Sequence, residues 1–281
     1  MKNILERKPI FYYYLATFLV SWAGIISVSF FLGMPTTSSI FETYGPLALI
    51  PFLLGPSMVG FFFTAKLFGR AGIKELFQRL FRWNFKKRWY LFSVFTIPLF
   101  IAVWLMILNY FSEAYTPRIF YQSNKMVFIL TGILTGLIGG GLLEELGWTG
   151  FITPLFLKSN SIMKTGLLMG FFWGLWHFLP VYWGSGDEQG IISWSQFLPG
   201  LFSHYAVLIP FRIIQVWLYA QTKSLLPNII FHSTLTTFAL FLFSIENAGF
   251  PVFIYYLGIA FFLWGLVILL PNKNMSMNRD H

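Results

Sequence analysis

No cysteine occurs in the 281 residues. Disulfide frameworks, thiol nucleophiles and cysteine-based metal sites are therefore excluded. Charge is scarce as well. Asp, Glu, Lys and Arg make up 10% of the chain, against about 25% in a soluble domain. No polar stretch is long enough for a soluble domain of its own; the longest run to roughly 15–25 residues, the size of loops. HExxH, GxSxG and GxxxxGK[ST] patterns are also absent. That leaves a zincin helix, a hydrolase nucleophile elbow and a P-loop without support. No internal repeat of the transporter kind is visible.

Apolar residues fill the space. The chain is 57% hydrophobic and 21% aromatic, with mean hydropathy +0.68. These values predict an all-α integral membrane protein, a single polytopic membrane domain over residues 1–281. A bilayer core needs about 20 mostly apolar residues per helix. About eight transmembrane helices are expected, near 10–32, 45–67, 89–111, 126–153, 165–183, 198–221, 225–244 and 250–270. The first run lacks a small-residue cleavage site and is followed by many others, so it reads as a membrane helix and not a removed signal. Residues 77–89 alternate Arg and Lys with Phe, Leu and Trp, a pattern that predicts a short amphipathic segment along the headgroups.

The formal net charge is +9. Eight crossings place nearly all of its cations on one side: Lys2, Arg7 and Lys8, the cluster from Lys66 to Arg88, Lys158, Lys164, Lys223, Lys273 and Arg279. The other side carries Glu42, Glu113, Asp187, Glu188 and Glu246, with Arg118 and Lys125. Cytoplasmic loops are enriched in Lys and Arg, so both termini are expected in the cytoplasm and the protein in the cell membrane. Membrane lipids account for the basic excess as partners; a nucleic-acid partner is not needed.

Against this apolar background a few polar residues stand out. Glu144 and Glu145 end the uncharged, Gly-rich run Phe128 to Leu143. An ionisable residue at membrane depth is costly and marks a functional site by default. Gly132, Gly136 and Gly140 recur every four residues, a small-residue face that lets helices approach closely. On a helix Glu144 shares a face with Trp148, and Glu145 with Thr149. His177 shares a face with Trp173 one turn earlier, and His232 with Thr236 one turn later. At about 1.5 Å per residue, Glu144, His177 and His232 lie about 15, 20 and 12 Å from their helix ends, near the inner half of the bilayer. A shared polar pocket between core helices is expected. His204, in the sixth span, reads as packing or interfacial hydrogen bonding. Arg212 in the same span is costly unless paired, and Glu144 or Glu145 is the expected partner.

At these residues the chain resembles a known family. Glu144-Glu145-Leu-Gly-Trp148-Thr-Gly150-Phe151, Trp173-Gly-Leu-Trp-His177 and His232-Ser-Thr-Leu-Thr236 are similar to the motifs EExxxR, [F/W]xxxH and HxxxN of the CAAX protease and bacteriocin-processing (CPBP/Abi) family. The resemblance covers about residues 128–244. Members of that family are intramembrane proteases, type II CAAX prenyl endopeptidases among them. The resemblance implies that Glu144 activates a water with help from His177, that His232 stabilises the oxyanion, and that Glu145, Thr236 and Trp173 support them. It implies a membrane-associated peptide or lipid-anchored protein as substrate, with CAAX processing and bacteriocin maturation or self-immunity as options. One Glu and two His also suit Zn²⁺ with an open position, so Glu144, His177 and His232 are the expected ligands if a metal is bound. The chain departs from the family at two positions, with Thr149 for Arg and Thr236 for Asn. The departures motivate an alternative, a non-catalytic immunity or scaffold protein of the same fold. A carboxylate-based proton-relay transporter is the third reading.

Overall fold

The structure is a computed structural model describing residues 7–246 and 248–271. Lys2, Lys273 and Arg279, which enter the charge argument, lie outside the described residues. The described residues form eight long helical segments, two short 3-10 turns (Glu113–Tyr115 and Arg118–Tyr121) and no strand, only a lone bridge between Gly186 and Ile192. The eight long segments are numbered in chain order: α1 (Pro9–Leu32), α2 (Ser38–Leu80), α3 (Lys87–Phe111), α4 (Lys125–Leu157), α5 (Ile162–Trp183), α6 (Trp194–Thr222), α7 (Leu226–Leu242) and α8 (Phe250–Leu269). Six of them, α1, α2, α3, α4, α6 and α8, are long and apolar enough to cross a membrane. The shorter α7 is also apolar, and α5 has 22 residues. The expected all-helical, multi-pass membrane architecture is what the chain adopts.

The outer helices bury one face and leave the other outside the bundle. In α3, Trp89, Ser93, Ile97, Ile101 and Leu105 repeat every four residues and are buried, while Leu91, Phe95, Leu99 and Met106 are exposed. An apolar helix with one face outside the protein core is at home in lipid. Inside the bundle, α1 packs on α2, α5 on α6, and α7 on both α4 and α3.

Prolines within the helices each remove one N–H and free the carbonyl four residues earlier. Three such carbonyls are recovered by distant donors. Pro56 frees Phe52, whose carbonyl accepts from Ser21 Oγ of α1 at 2.8 Å. Pro180 frees Trp176, whose carbonyl accepts from Trp22 Nε1, also of α1, at 2.9 Å. Pro199 frees Ser195, whose carbonyl accepts from the Gly249 amide at 3.0 Å. In a medium without water such carbonyls need protein partners. The first two of these bonds also lock α1 across α2 and α5.

The glycine face of α4 is used as expected. A Cβ on Gly136 would come within 2.7 Å of the Ser233 carbonyl oxygen, and one on Gly140 would meet Thr236 Oγ1. Helix α7 therefore lies almost on the α4 backbone, and Thr237 Oγ1 donates to the Gly132 carbonyl at 3.1 Å. Both helices widen to π geometry at this contact, over Thr135–Leu143 and Leu235–Leu242. π geometry is rare inside α-helices and is frequently found at functional sites.

The amphipathic segment expected at residues 77–89 takes another form. Helix α2 breaks at Gly69 (φ 61°), resumes to Leu80, and is separated by a short loop from α3, which begins at Lys87. A positive φ suits glycine, which has no Cβ to clash. The basic stretch is thus the end of one helix, a loop and the start of the next. It is tied to the α6–α7 connection, where Ser224 Oγ donates to the Arg82 carbonyl at 2.6 Å and the Leu225 amide to the Arg79 carbonyl at 3.0 Å.

Candidate active site

Glu144 and Glu145 open a four-residue α-helical turn, Glu144–Gly147, set between the two π segments of α4. Ser57 of α2 donates its hydroxyl to the Leu143 carbonyl and fixes the chain just before the carboxylates. Tyr13 of α1 reaches the Pro56 carbonyl at 3.2 Å, and Trp148 packs against Tyr13 and Tyr14. The acidic turn is therefore held by α1 and α2 as well as by its own helix. Both carboxylates are buried, at 3% and 0% exposure. They are not headgroup-facing residues at a helix end.

The two have different surroundings. Glu144 lines a cavity of about 470 Å³, and Glu145 does not. Glu144 Oε2 accepts from Trp173 Nε1 of α5 at 2.8 Å and from Trp148 Nε1 at 3.2 Å. Both donors take the same oxygen. Glu145 is held by three groups on three helices. Arg212 Nη1 of α6 donates to Oε2 at 3.0 Å, the Thr149 hydroxyl donates to the same oxygen, and His232 Nδ1 of α7 donates to Oε1 at 2.8 Å. The expected partner of Arg212 is thus Glu145.

His177, His232 and Thr236 line the same cavity as Glu144, and so does Trp173. Every expected site residue except Glu145 reaches this cavity, and Glu145 stands directly behind His232. His177 Nδ1 donates to the Trp173 carbonyl one turn back, at 2.9 Å. A carbonyl can only accept, so Nδ1 carries the proton and Nε2 of neutral His177 is an acceptor. The Trp173 ring lies 5.6 Å from the ring of His177 and 5.0 Å from that of His232, centroid to centroid.

Sequence reasoning gave His204 no part in the site, yet it lines the cavity with its ring 4.7 Å from that of His177. Its Nδ1 donates to the Gly200 carbonyl at 2.6 Å, one turn back. The same spacing binds His177 to Trp173. An imidazole anchored to its own helix in this way presents Nε2 outward. A signal existed in the four-residue spacing, but the break of α6 at Val207, which aims this half-helix at α5, is not written in it.

Glu144, His177 and His232, the expected ligands if a metal is bound, line one cavity. Among the described residues no group of three or more His, Cys, Asp or Glu is placed to hold a metal ion. One Glu144 oxygen is committed to two indole N–H groups, and His232 Nδ1 to Glu145. These bonds leave Glu144 Oε1 and the Nε2 atoms of His177 and His232 as the open donor atoms of the three residues.

Fold and site together define a polytopic helical membrane protein with a buried carboxylate and imidazoles around one cavity. Comparison with known proteins extends this. Residues 124–238 match the family described as type II CAAX prenyl endopeptidase Rce1-like. The chain is also 25% identical over 222 residues to CAAX prenyl protease 2 of Methanococcus maripaludis, covering 78% of this chain and 80% of that protein. The family likeness is borne out, and the matched segment holds α4, α5, α6 and most of α7. Both matches support a membrane-embedded protease, a hydrolase.

Proposed function

We propose that the chain is an intramembrane endopeptidase that hydrolyses a peptide bond near the end of a membrane-associated protein, with a lipid-anchored CAAX-type tail as its substrate class. The reading rests on one observation above all: a buried carboxylate, Glu144, shares a cavity with two imidazoles whose Nδ1 atoms are each already engaged.

With Oε2 held by two indoles, Glu144 Oε1 is the oxygen left to bind a water. His177 Nε2 accepts the second hydrogen of that water and orients it. Glu144 takes a proton as the water oxygen bonds to the scissile carbonyl carbon, and the carbonyl electron pair moves onto oxygen. The Thr236 hydroxyl donates to that oxyanion. So does His232 through Nε2–H when its ring is the imidazolium, with Nδ1–H on Glu145. Preorganised donors of this kind stabilise the transition state by several kcal/mol in a water-poor site. Collapse breaks the C–N bond, and Glu144 returns its proton to the leaving amine. Most of the cavity wall is apolar, with Phe52, Leu53, Leu235, Ala239 and Ile259 among its residues, which suits an aliphatic lipid chain. The positive-inside pattern supports a cytoplasmic position for both termini.

The non-catalytic alternative was motivated by Thr149 and Thr236. Two observations weigh against it: Thr236 lines the cavity, and Arg212 pairs with Glu145. The deciding experiment is cleavage of a prenylated C-terminal peptide by purified protein in detergent, beside Glu144→Ala and His177→Ala. Loss of turnover in both variants is expected. Equal turnover in all three proteins removes the assignment.

A further inference from the structure

Arg212 is 1% exposed and lies on α6, outside the cavity lining. Its Nη1 meets Glu145 at 3.0 Å, while Nε and Nη2 are buried with no hydrogen-bond partner. The guanidinium also lies over the Trp173 ring, 4.1 Å from its centroid. Stability alone does not call for such a group. A buried ion pair repays its desolvation only with full hydrogen bonding, and an apolar residue of similar volume often serves as well.

The position of Arg212 accounts for its presence. It touches both halves of the site and none of the cavity. Through Glu145 it acts on His232: with Oε2 taken by Arg212 and Thr149, Oε1 faces His232 Nδ1 and fixes that ring. Through Trp173 it acts on Glu144: the indole under the guanidinium is the one whose Nε1 reaches Glu144 Oε2 at 2.8 Å. Cation–π contact with a desolvated guanidinium is favourable and directional. We infer that Arg212 is a positioning residue, a buried cation that sets the relative orientation of the Glu144 carboxylate and the His232 imidazole. The inference rests on the hydrolytic reading given above.

The geometry also names a substitute. Thr149 Oγ1 and Arg212 Nη1 reach the same oxygen of Glu145. An arginine at position 149 would stand one helical turn from Glu145, the spacing at which side chains on a helix meet.

The test compares wild type, Arg212→Lys, Arg212→Met and Thr149→Arg/Arg212→Met, all full-length in detergent. Arg212→Lys keeps the charge and loses the planar fork and the stacking. In it, kcat for a prenylated peptide is expected to fall about 10- to 100-fold, the scale of a small misplacement, with KM and unfolding temperature near wild type. The double variant is expected to recover about tenfold over Arg212→Met. Lysine and methionine variants that turn over like wild type, per folded molecule, would overturn the inference and leave the hydrolase reading intact. A second readout needs no turnover. In ¹⁵N-histidine-labelled protein, the His232 ring signals are expected to shift in Arg212→Lys and to return in the double variant. Unchanged signals in Arg212→Lys overturn the inference as well. Should Arg212→Met fail to fold, Arg212→Lys decides. Absence of cleavage by wild type counts against the hydrolase reading, and the histidine signals then judge Arg212 separately.

Discussion

Trp173 donates its indole N–H to Glu144 across the α4–α5 interface at 2.8 Å, and Trp148 donates to the same oxygen at 3.2 Å from within α4. One carboxylate oxygen is thereby saturated by neutral donors, and the other is left for chemistry. Hydrogen bonds to a charged acceptor are worth about 1.5–3 kcal/mol. Trp173→Phe keeps the ring and deletes the donor. Its kcat is expected to drop about 10- to 100-fold, since about 1.4 kcal/mol corresponds to tenfold, with KM little changed. Trp148→Phe, which removes the longer bond, should lose less. Steady-state kinetics on the two variants checks the order.

The two glutamates should separate in a stability assay. Glu144 is held by neutral indoles, whereas Glu145 neutralises Arg212. Truncating one partner of a buried ion pair leaves an uncompensated charge and costs about 3–5 kcal/mol. Glu145→Ala is expected to unfold at a markedly lower temperature than wild type. Glu144→Ala, which leaves no unpaired charge behind, should lose less stability than Glu145→Ala and lack activity. Thermal unfolding in detergent, followed by tryptophan fluorescence, distinguishes them. A Glu145→Ala protein as stable as wild type would mean that the Arg212 pair contributes nothing to the fold.

The glycine face of α4 offers a graded test of packing. At Gly136 an added methyl would lie 2.7 Å from the Ser233 carbonyl oxygen, and backbone cannot swing aside. Overpacking of this kind costs about 1–3 kcal/mol. At Gly140 the methyl would meet Thr236 Oγ1, with His232 Cδ2 at 3.3 Å, and both side chains line the cavity. Gly136→Ala is expected to lower stability. Gly140→Ala is expected to lower turnover more than stability, by displacing the two groups assigned to the oxyanion. Gly265→Ala, which meets nothing within 4 Å, is the neutral control.

How much of this was readable beforehand depended on the range of the interaction. Glu144 with Trp148, Glu145 with Thr149, and His177 with Trp173 are contacts one turn apart on one helix, and helical spacing alone gives them. The similar depths expected for Glu144, His177 and His232 allowed a shared site without fixing one; that the three line one cavity depends on how α4, α5 and α7 pack. The glycine face of α4 announced a close neighbour without naming α7. Long-range donors were not readable. Nothing local says that Ser21 and Trp22 of α1 will occupy the carbonyls freed by Pro56 and Pro180. The π turns around Glu144 were equally hidden, because an extra residue per turn leaves no clear mark in an apolar sequence. His204 was missed for a related reason. Its approach to His177 depends on the direction α6 takes at Val207, which is set by packing against α5 and α8.

Metal removal gives the last test, and the donor chemistry sets its sign. An indole N–H aimed at a carboxylate oxygen competes with a cation for that oxygen, and Glu144 carries two of them. A histidine ligand binds metal through an unprotonated nitrogen. The Nδ1 atoms of His177 and His232 are both turned to hydrogen-bond acceptors, so Nε2 is the nitrogen available on each ring. In the hydrolytic scheme proposed above, those Nε2 atoms hold water and oxyanion, and the water is activated by Glu144 alone. Overnight incubation with a strong zinc chelator is therefore expected to leave kcat unchanged, and elemental analysis of active protein is expected to find zinc well below one atom per chain. Inactivation by the chelator, followed by recovery on adding back Zn²⁺ and not Mg²⁺, would instead make Glu144, His177 and His232 ligands. The ion would then sit on Glu144 Oε1, the oxygen that the indoles leave free, and on the Nε2 atoms of the two histidines.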